Sequence, residues 1–451
     1  MKVHFIENTK HCGEKIAFLP DTQRFFKVNL TGEHLIKDIE NSVTKDEIFS
    51  KYPITEKQYF QYYNIFSEEK EEAQNPLHLD INEFETLNRL VLHMTNDCNL
   101  RCTYCYANGG NYHSDRTFLK RDILDDTLEL FYSSFQNIQY IQFFGGEPLL
   151  NISMIEYTCK KVEEYCKFRE IKTQFGVVTN GTIMTKKFID LVKKYNIAVT
   201  VSYDGEPKVN DIMRFDKHGR GTSKRILKNI SKLNQYTNQP STIEVTYNQN
   251  HVENDVSIQD VVDHISEEVP NAYIHLVPAG ATDEEDYGVK DLSIFPENLN
   301  NLVEKHLVNN PKERDLPASY SLVDRIVKGL INGPQNIPLI CDAGLGTISV
   351  SVNGDVYPCF MFTDQEKMKY GNIYSPNLFK SEAFNSLQSK IHSFSIKNNN
   401  KKCKDCFIKN LCNGCLGLNS FHSGDPFRLS EMTCDMFKKM TEEAIIVLAN
   451  Q

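Results

Sequence analysis

The sequence predicts an α/β protein: a partial (β/α)6 barrel between an N-terminal winged-helix-like domain and a C-terminal cysteine-rich domain. Three observations predict it. Strand-like and helix-like segments alternate six times between residues 85 and 280, and such alternation argues for a parallel sheet with helices outside it. The first segment instead runs three strands and then three helices. Ten of the 13 cysteines fall in two groups, at Cys98–Cys105 and Cys341–Cys434.

Each part follows from local pattern. Residues 1–76 open with β-like runs at Val3–Glu7, Lys15–Leu19 and Arg24–Val28, punctuated by turns. Helical patterns follow at Gly32–Val43, Lys45–Lys51 and Thr55–Phe66, and the charged run Glu68–Pro76 reads as a linker. The barrel, residues 85–280, takes strands at Leu90–Met94, Ile138–Phe144, Thr173–Val178, Ala198–Ser202, Ile243–Tyr247 and Tyr273–Val277. Helices such as Asp122–Phe135, Lys186–Tyr195 and Lys224–Leu233 lie between them. Six units are too few for a closed eightfold barrel, so an open one is expected. Residues 281–340 read as a helical connection with helices at Glu297–Leu307 and Ser321–Leu330. Residues 341–451 are rich in cysteine, glycine and polar groups. They are expected to have little apolar core and to need metal to fold.

Composition excludes several classes. A formal net charge of −10 disfavours nucleic acid and anionic membranes as partners. There is no apolar run of about 18 residues, and the N-terminus has no signal-peptide pattern. A cytoplasmic location is expected, and clustered thiols in a reducing compartment point to metal rather than disulfides. Of the remaining cysteines, Cys159 and Cys166 share a helical face with Ile155 and Val162 and read as packing residues. Cys12 lies in a turn.

Cys98, Cys102 and Cys105 form a CxxxCxxC cluster directly after the first barrel strand. Barrel folds place chemistry at that end of their strands. An iron–sulfur cube normally takes four cysteines, so three leave one iron open. A zinc site completed by His93 or His113 is the competing reading. With Tyr104 before the last cysteine, the cluster resembles that of the radical S-adenosylmethionine (SAM) superfamily. Further landmarks stand in order at strand ends: Gly145-Gly146-Glu147-Pro148, Thr179-Asn180-Gly181, Ser202-Tyr203-Asp204-Gly205 and Val277-Pro278-Ala279-Gly280, with Arg214 beyond the fourth. The resemblance implies that Cys98, Cys102 and Cys105 hold a catalytic [4Fe–4S] cluster. It implies SAM contacts at Tyr104, Gly145, Gly146, Glu147, Pro148, Thr179, Asn180, Ser202, Asp204 and Arg214.

The second group comprises Cys341, Cys359, Cys403, Cys406, Cys412, Cys415 and Cys434, with Gly354 five residues before Cys359. This pattern resembles the SPASM extension, which carries two auxiliary [4Fe–4S] clusters. It departs from the extension by one residue between Cys412 and Cys415. The resemblance implies one cluster on Cys403, Cys406, Cys412 and Cys434 and another on Cys341, Cys359 and Cys415. Relatives with a fully ligated second set carry a further cysteine where residues 342–358 have none, which implies a vacant iron suited to a substrate thiolate.

The N-terminal strands and helices resemble the peptide-recognition domain of enzymes that mature ribosomal peptides, where a strand edge accepts a leader segment. Together these resemblances imply three [4Fe–4S] clusters, SAM, a cysteine-containing precursor peptide with a leader, and a small electron donor such as ferredoxin or flavodoxin. The implied reaction is thioether formation between a cysteine sulfur and a carbon of the peptide. A formylglycine-forming sulfatase maturase is a rival, but that family has an aspartate where this chain has Phe360. Carbon–carbon cross-linking or epimerisation is a second rival, and a non-catalytic iron–sulfur peptide-binding protein a third.

Overall fold

A computed structural model describes residues 2–66, 86–282, 284–297, 299, 302–303, 321–333 and 337–451. The expected linker at 68–76 and most of the expected helix at 297–307 lie outside these residues.

The N-terminal domain is an antiparallel sheet of β1 (His4–Glu7), β2 (Glu14–Leu19) and β3 (Arg24–Asn29), in that order. Helices α1 (Leu30–Glu40), α2 (Lys45–Lys51) and α3 (Glu56–Phe66) follow. Asn29 caps α1, and Thr44 forms a capping box with Glu47 on α2. Strand β2 is buried on both faces. Ala17 and Leu19 join the domain's own small core with Leu35, Ile36 and Ile48, whereas Ile16 and Phe18 face the main core. Alternation with period two makes this division possible.

The barrel strands are β4 (Thr86–Thr95), β5 (Asn137–Gly145), β6 (Gln174–Thr179), β7 (Ala198–Ser202), β8 (Thr242–Tyr247) and β9 (Tyr273–Pro278). They are parallel and adjacent in chain order. Their connections carry α4 (Arg121–Ser134), α5 (Ile152–Arg169), α6 (Lys186–Tyr195), α7 (Pro207–Met213), α8 (Ser223–Tyr236), α9 (Gln249–Glu253) and α10 (Ile258–Glu268). Each long helix turns an apolar stripe to the sheet, such as Phe188, Ile189, Leu191 and Val192 on α6. Cys159 on α5 is fully buried in that layer, and Cys166 packs against it.

The six-strand expectation is extended by the C-terminal region. Past α11 (Ser321–Asn332), strands β10 (Thr347–Val350), β11 (Asp355–Tyr357) and β12 (Gly371–Asn372) continue the sheet. β10 pairs in parallel with β4, which makes nine strands in one sheet among the described residues. The expected shortage of apolar core here is corrected. Ile348, Val350, Val356, Phe362, Tyr370, Leu378 and Ile391 are buried and continuous with the barrel core. The region closes with α12 (Glu382–Ser395), α13 (Lys401–Lys404), α14 (Leu416–Ser423) and α15 (Glu431–Ala449). The N-terminal sheet docks on this end. His4 stacks on Phe407 with centroids 3.6 Å apart, and its Nε2 lies 2.7 Å from Glu442.

Candidate active site

The first thiol loop is held from two sides. Arg101 N–H donates to Phe215 O at 2.8 Å and Thr103 N–H to Met213 O at 3.0 Å, which ties the loop to the segment around Arg214. On the other side, Gly146 N–H donates to Thr95 O and Glu147 N–H to Asp97 O. A side chain at Gly146 would place Cβ 2.1 Å from Asp97 O, and one at Gly145 would lie 2.2 Å from Thr95 O. The double glycine thus lets the loop backbone lie directly on the end of β5.

Cys98, Cys102 and Cys105 are half-buried, and Cys102 and Cys105 lie close enough to raise the proton affinity of Cys98. Burial, followed by the Glu147 charge, pushes the Cys98 thiol up to about 12. Burial pushes Cys102 up to about 11, against the pull of Arg214. Three thiolates crowded in a dry pocket need a cationic centre to hold them ionised. Asn180 Nδ2 points to Cys98 Sγ at 3.7 Å and donates to Asn99 Oδ1 at 2.9 Å.

Beside them stands a polar chain. Arg214, 6% exposed, donates from Nη1 to the Tyr104 hydroxyl at 2.6 Å, and that hydroxyl donates to Asp204 Oδ2. Asp204 Oδ1 accepts from Thr246 N–H at 3.0 Å. Arg214 Nε is buried with no partner among the described residues. The site therefore keeps an unused donor beside the thiols, as a bound carboxylate or ribose requires. Glu147 serves the fold. Its carboxylate accepts from Thr179 Oγ1, Asn180 N–H and Leu149 N–H at 2.7, 2.8 and 3.0 Å. Pro148 starts the short 3₁₀ turn that follows.

Ser202 ends β7 in register with Glu244 on β8, which is in register with His275 on β9. Glu244 was not singled out by the sequence, although Thr242, Glu244 and Thr246 alternate on one face. Burial raises its carboxyl pKa, and Arg214 draws it back down.

The other thiols divide in two. Cys341, Cys359 and Cys415 influence one another: burial and Cys415 push Cys341 up to about 12, and Cys359 is raised chiefly by burial. Cys403, Cys406, Cys412 and Cys434 line a common cavity of about 320 Å³, which Cys415 of the other set also reaches. Within it, burial is the main cause that pushes Cys412 up to about 12, opposed by Lys397 and reinforced by the other three thiols. Among the described residues no three His, Cys, Asp or Glu groups converge as one mononuclear ion requires. His93, the zinc alternative's ligand, is buried and faces Thr363 Oγ1 at 3.2 Å. Burial lowers its pKa to about 3.

An aromatic wall, missed in the sequence, lies near both three-thiol sets. Tyr106 and Tyr112 each interact with both Cys105 and Cys359. Tyr112 packs edge-on against His93, and Phe144 lies 4.5 Å from Phe360. The position expected to hold the sulfatase maturases' aspartate is therefore packed against an aromatic ring.

Comparison with known proteins agrees with this geometry. Residues 92–265 match the radical SAM superfamily, and residues 341–407 match SPASM, an iron–sulfur cluster-binding domain. Residues 92–265 therefore form a radical SAM domain and residues 341–407 a SPASM domain, and such domains imply iron–sulfur clusters and bound SAM. A cysteine-type anaerobic sulfatase-maturating enzyme of Clostridium novyi is 26% identical, covering 80% of this chain and 96% of its own length. The radical SAM cyclopropyl synthase TigE of Paramaledivibacter caminithermalis is 24% identical, covering 81% and 76%. The chain spans half the length of an uncharacterized Methanocaldococcus jannaschii protein, 37% identical over 153 residues. Among solved structures, anSMEcpe with bound AdoMet gives a TM-score of 0.66 at 18% identity, covering 80% of this chain and 95% of that one. Streptococcus suis SuiB bound to precursor peptide SuiA gives 0.52 at 16%, covering 95% and 98%. No helix among the described residues is long and apolar enough to cross a membrane.

Proposed function

We propose that this enzyme forms a thioether in a ribosomally made precursor peptide, joining a cysteine sulfur to a carbon of the same chain. The observation that carries the reading is the second three-thiol set, Cys341, Cys359 and Cys415, near the same aromatic wall as Cys98, Cys102 and Cys105. No cysteine lies between 342 and 358 to complete it. The two sets would each hold a [4Fe–4S] cluster with one open iron, and Cys403, Cys406, Cys412 and Cys434 a third, fully ligated one. When bound, the first cluster and SAM supply a 5′-deoxyadenosyl radical that takes a hydrogen atom from the peptide.

The protein's own residues position and enclose. Arg214, Tyr104 and Asp204 form a fixed polar chain that would orient SAM, with Arg214 Nε free to donate to it. Tyr106, Tyr112, His93, Phe144 and Phe360 keep the reacting carbon dry. The N-terminal domain would hold the leader along the edge of β3, which pairs only with β2 among the described residues. Helix α3 lies beside it through Phe26 and Phe66, and Phe60 and Tyr63 are exposed on that helix. Lys401, Lys402 and Lys404 surround Cys403 on α13 and suit a small acidic electron carrier such as ferredoxin or flavodoxin.

Co-expression with a precursor peptide tests the reaction. The peptide should lose about two hydrogens and one alkylatable thiol. The relationship to TigE favours a second reading, carbon–carbon bond formation, in which the hydrogens are lost and the thiol stays free. Replacing Phe60 and Tyr63 by alanine should raise KM for the full-length peptide about tenfold and leave peptide-free SAM cleavage unchanged. An unchanged KM would remove the leader assignment.

A further inference from the structure

Lys397 is a buried ammonium between the two auxiliary thiol sets. It follows α12 and is 3% exposed. Its Nζ donates to Lys409 O and Cys412 O, each at 2.6 Å. Its backbone N–H donates to Pro338 O at 2.9 Å, and Leu339 bridges Ile396, which brings the segment alongside Cys341. Cys412 belongs to the four-thiol set and Cys415, three residues on, to the three-thiol set. Lys397 lines the same cavity as Cys403, Cys406, Cys412 and Cys434.

A lysine this buried is rare without a carboxylate partner. Lys397 makes no ion pair with a carboxylate among the described residues. Its opposite charges are thiolates: burial lowers its pKa, while Cys412, Cys403 and Cys406 raise it. The three-thiol set has the reverse neighbour. Asp342 directly follows Cys341 in the chain, and its carboxylate accepts from Thr347 Oγ1 at 2.9 Å.

We propose that Lys397 sets the reduction potential of the cluster on Cys403, Cys406, Cys412 and Cys434, making it the electron sink of the auxiliary pair. The proposal rests on the assignment of these thiols to a [4Fe–4S] cluster. One-electron reduction adds one negative charge to the cube and needs no proton. A fixed cation beside it stabilises the reduced form more than the oxidised form. The Asp342 carboxylate does the opposite at the inner set. Thioether formation sends one hydrogen atom to the deoxyadenosyl carbon, one proton from the thiol to solvent and one electron to an acceptor. The two fixed charges make the outward direction of that electron downhill.

The test is a redox titration followed by electron paramagnetic resonance. It uses full-length protein carrying Cys98→Ala, Cys102→Ala and Cys105→Ala, which isolates the auxiliary clusters. This protein should bind about eight irons; failure to bind them defeats the cluster assignment, and the proposal with it. Lys397→Met should move the midpoint of one cluster to more negative potential with iron unchanged, and Lys397→Arg should restore most of the shift. Full iron with unmoved midpoints in Lys397→Met overturns the role of Lys397 alone. Iron loss in both Lys397→Met and Lys397→Arg also overturns it, in favour of a purely structural tie. If only Lys397→Met loses iron, Asp342→Asn decides: a positive shift of the other cluster supports the charge gradient, and no shift overturns it.

Discussion

The loop of Cys98, Cys102 and Cys105 and the cavity of Cys403, Cys406, Cys412 and Cys434 hold the same ligand type in opposite surroundings. Beside the three thiols lies a donor with capacity to spare, Arg214 Nε. Around the four, a buried lysine, Lys397, is fastened to two backbone carbonyls. On the proposed reading, an incomplete set beside a spare donor would bind a ligand and let it go, and a complete set beside a fixed charge would hold a cluster and tune it. The Cys341, Cys359 and Cys415 set resembles the first in its count and the second in its location.

The largest expected break in this comparison is Cys102→Ala. It should reduce 5′-deoxyadenosine formation under dithionite to background and remove about four irons per chain. Unchanged SAM cleavage would sink the radical assignment. Next is Gly146→Ala, whose methyl must displace the Asp97 carbonyl. SAM affinity should fall at least about tenfold, roughly 1.4 kcal/mol, while the auxiliary clusters stay intact by iron count. Arg214→Lys keeps the charge but loses the planar fork that reaches Tyr104. It should weaken SAM binding about fivefold to tenfold, measurable by equilibrium dialysis; an unaltered Kd would remove Arg214 from the site.

The smallest effect is on stability. His93 is held neutral by burial, with its pKa lowered to about 3. The unfolded chain takes up a proton below about 6.5 and the folded chain does not. His93 therefore contributes stability above that pH, and the contribution is lost as pH falls. The loss is about 1 kcal/mol between pH 7 and 5.5. His93→Gln should flatten the fall in thermal midpoint over that window, and equal slopes would contradict a neutral buried imidazole.

Much of the barrel was legible because each strand is an apolar run that ends in a recognisable turn, such as Gly145-Gly146 or Asn180-Gly181. The boundaries of β7 and α6 agree with their hydrophobic pattern to the residue. The pairing of β10 with β4 was not legible. Nothing local to Thr347–Val350 encodes a parallel partner at Arg89–Leu92. The apolar core of the C-terminal region was obscured by its many glycines and cysteines, because short strands bury few residues each. The thiol sets were visible from spacing and family pattern, since a ligand keeps its chemistry wherever the chain carries it. Lys397 and the Tyr106–Tyr112 wall were invisible for the converse reason. A lysine among Asn398, Asn399 and Asn400 looks like surface, and only the tertiary fold places it among the cavity thiols.

The most direct test is electron paramagnetic resonance of the anaerobically reconstituted, dithionite-reduced protein with and without SAM. SAM should change the signal of one cluster, and that change should be absent when Cys98, Cys102 and Cys105 are alanine. A protein that holds only zinc, or whose reduced signals ignore SAM, would contradict an open-cornered iron cube in the barrel mouth.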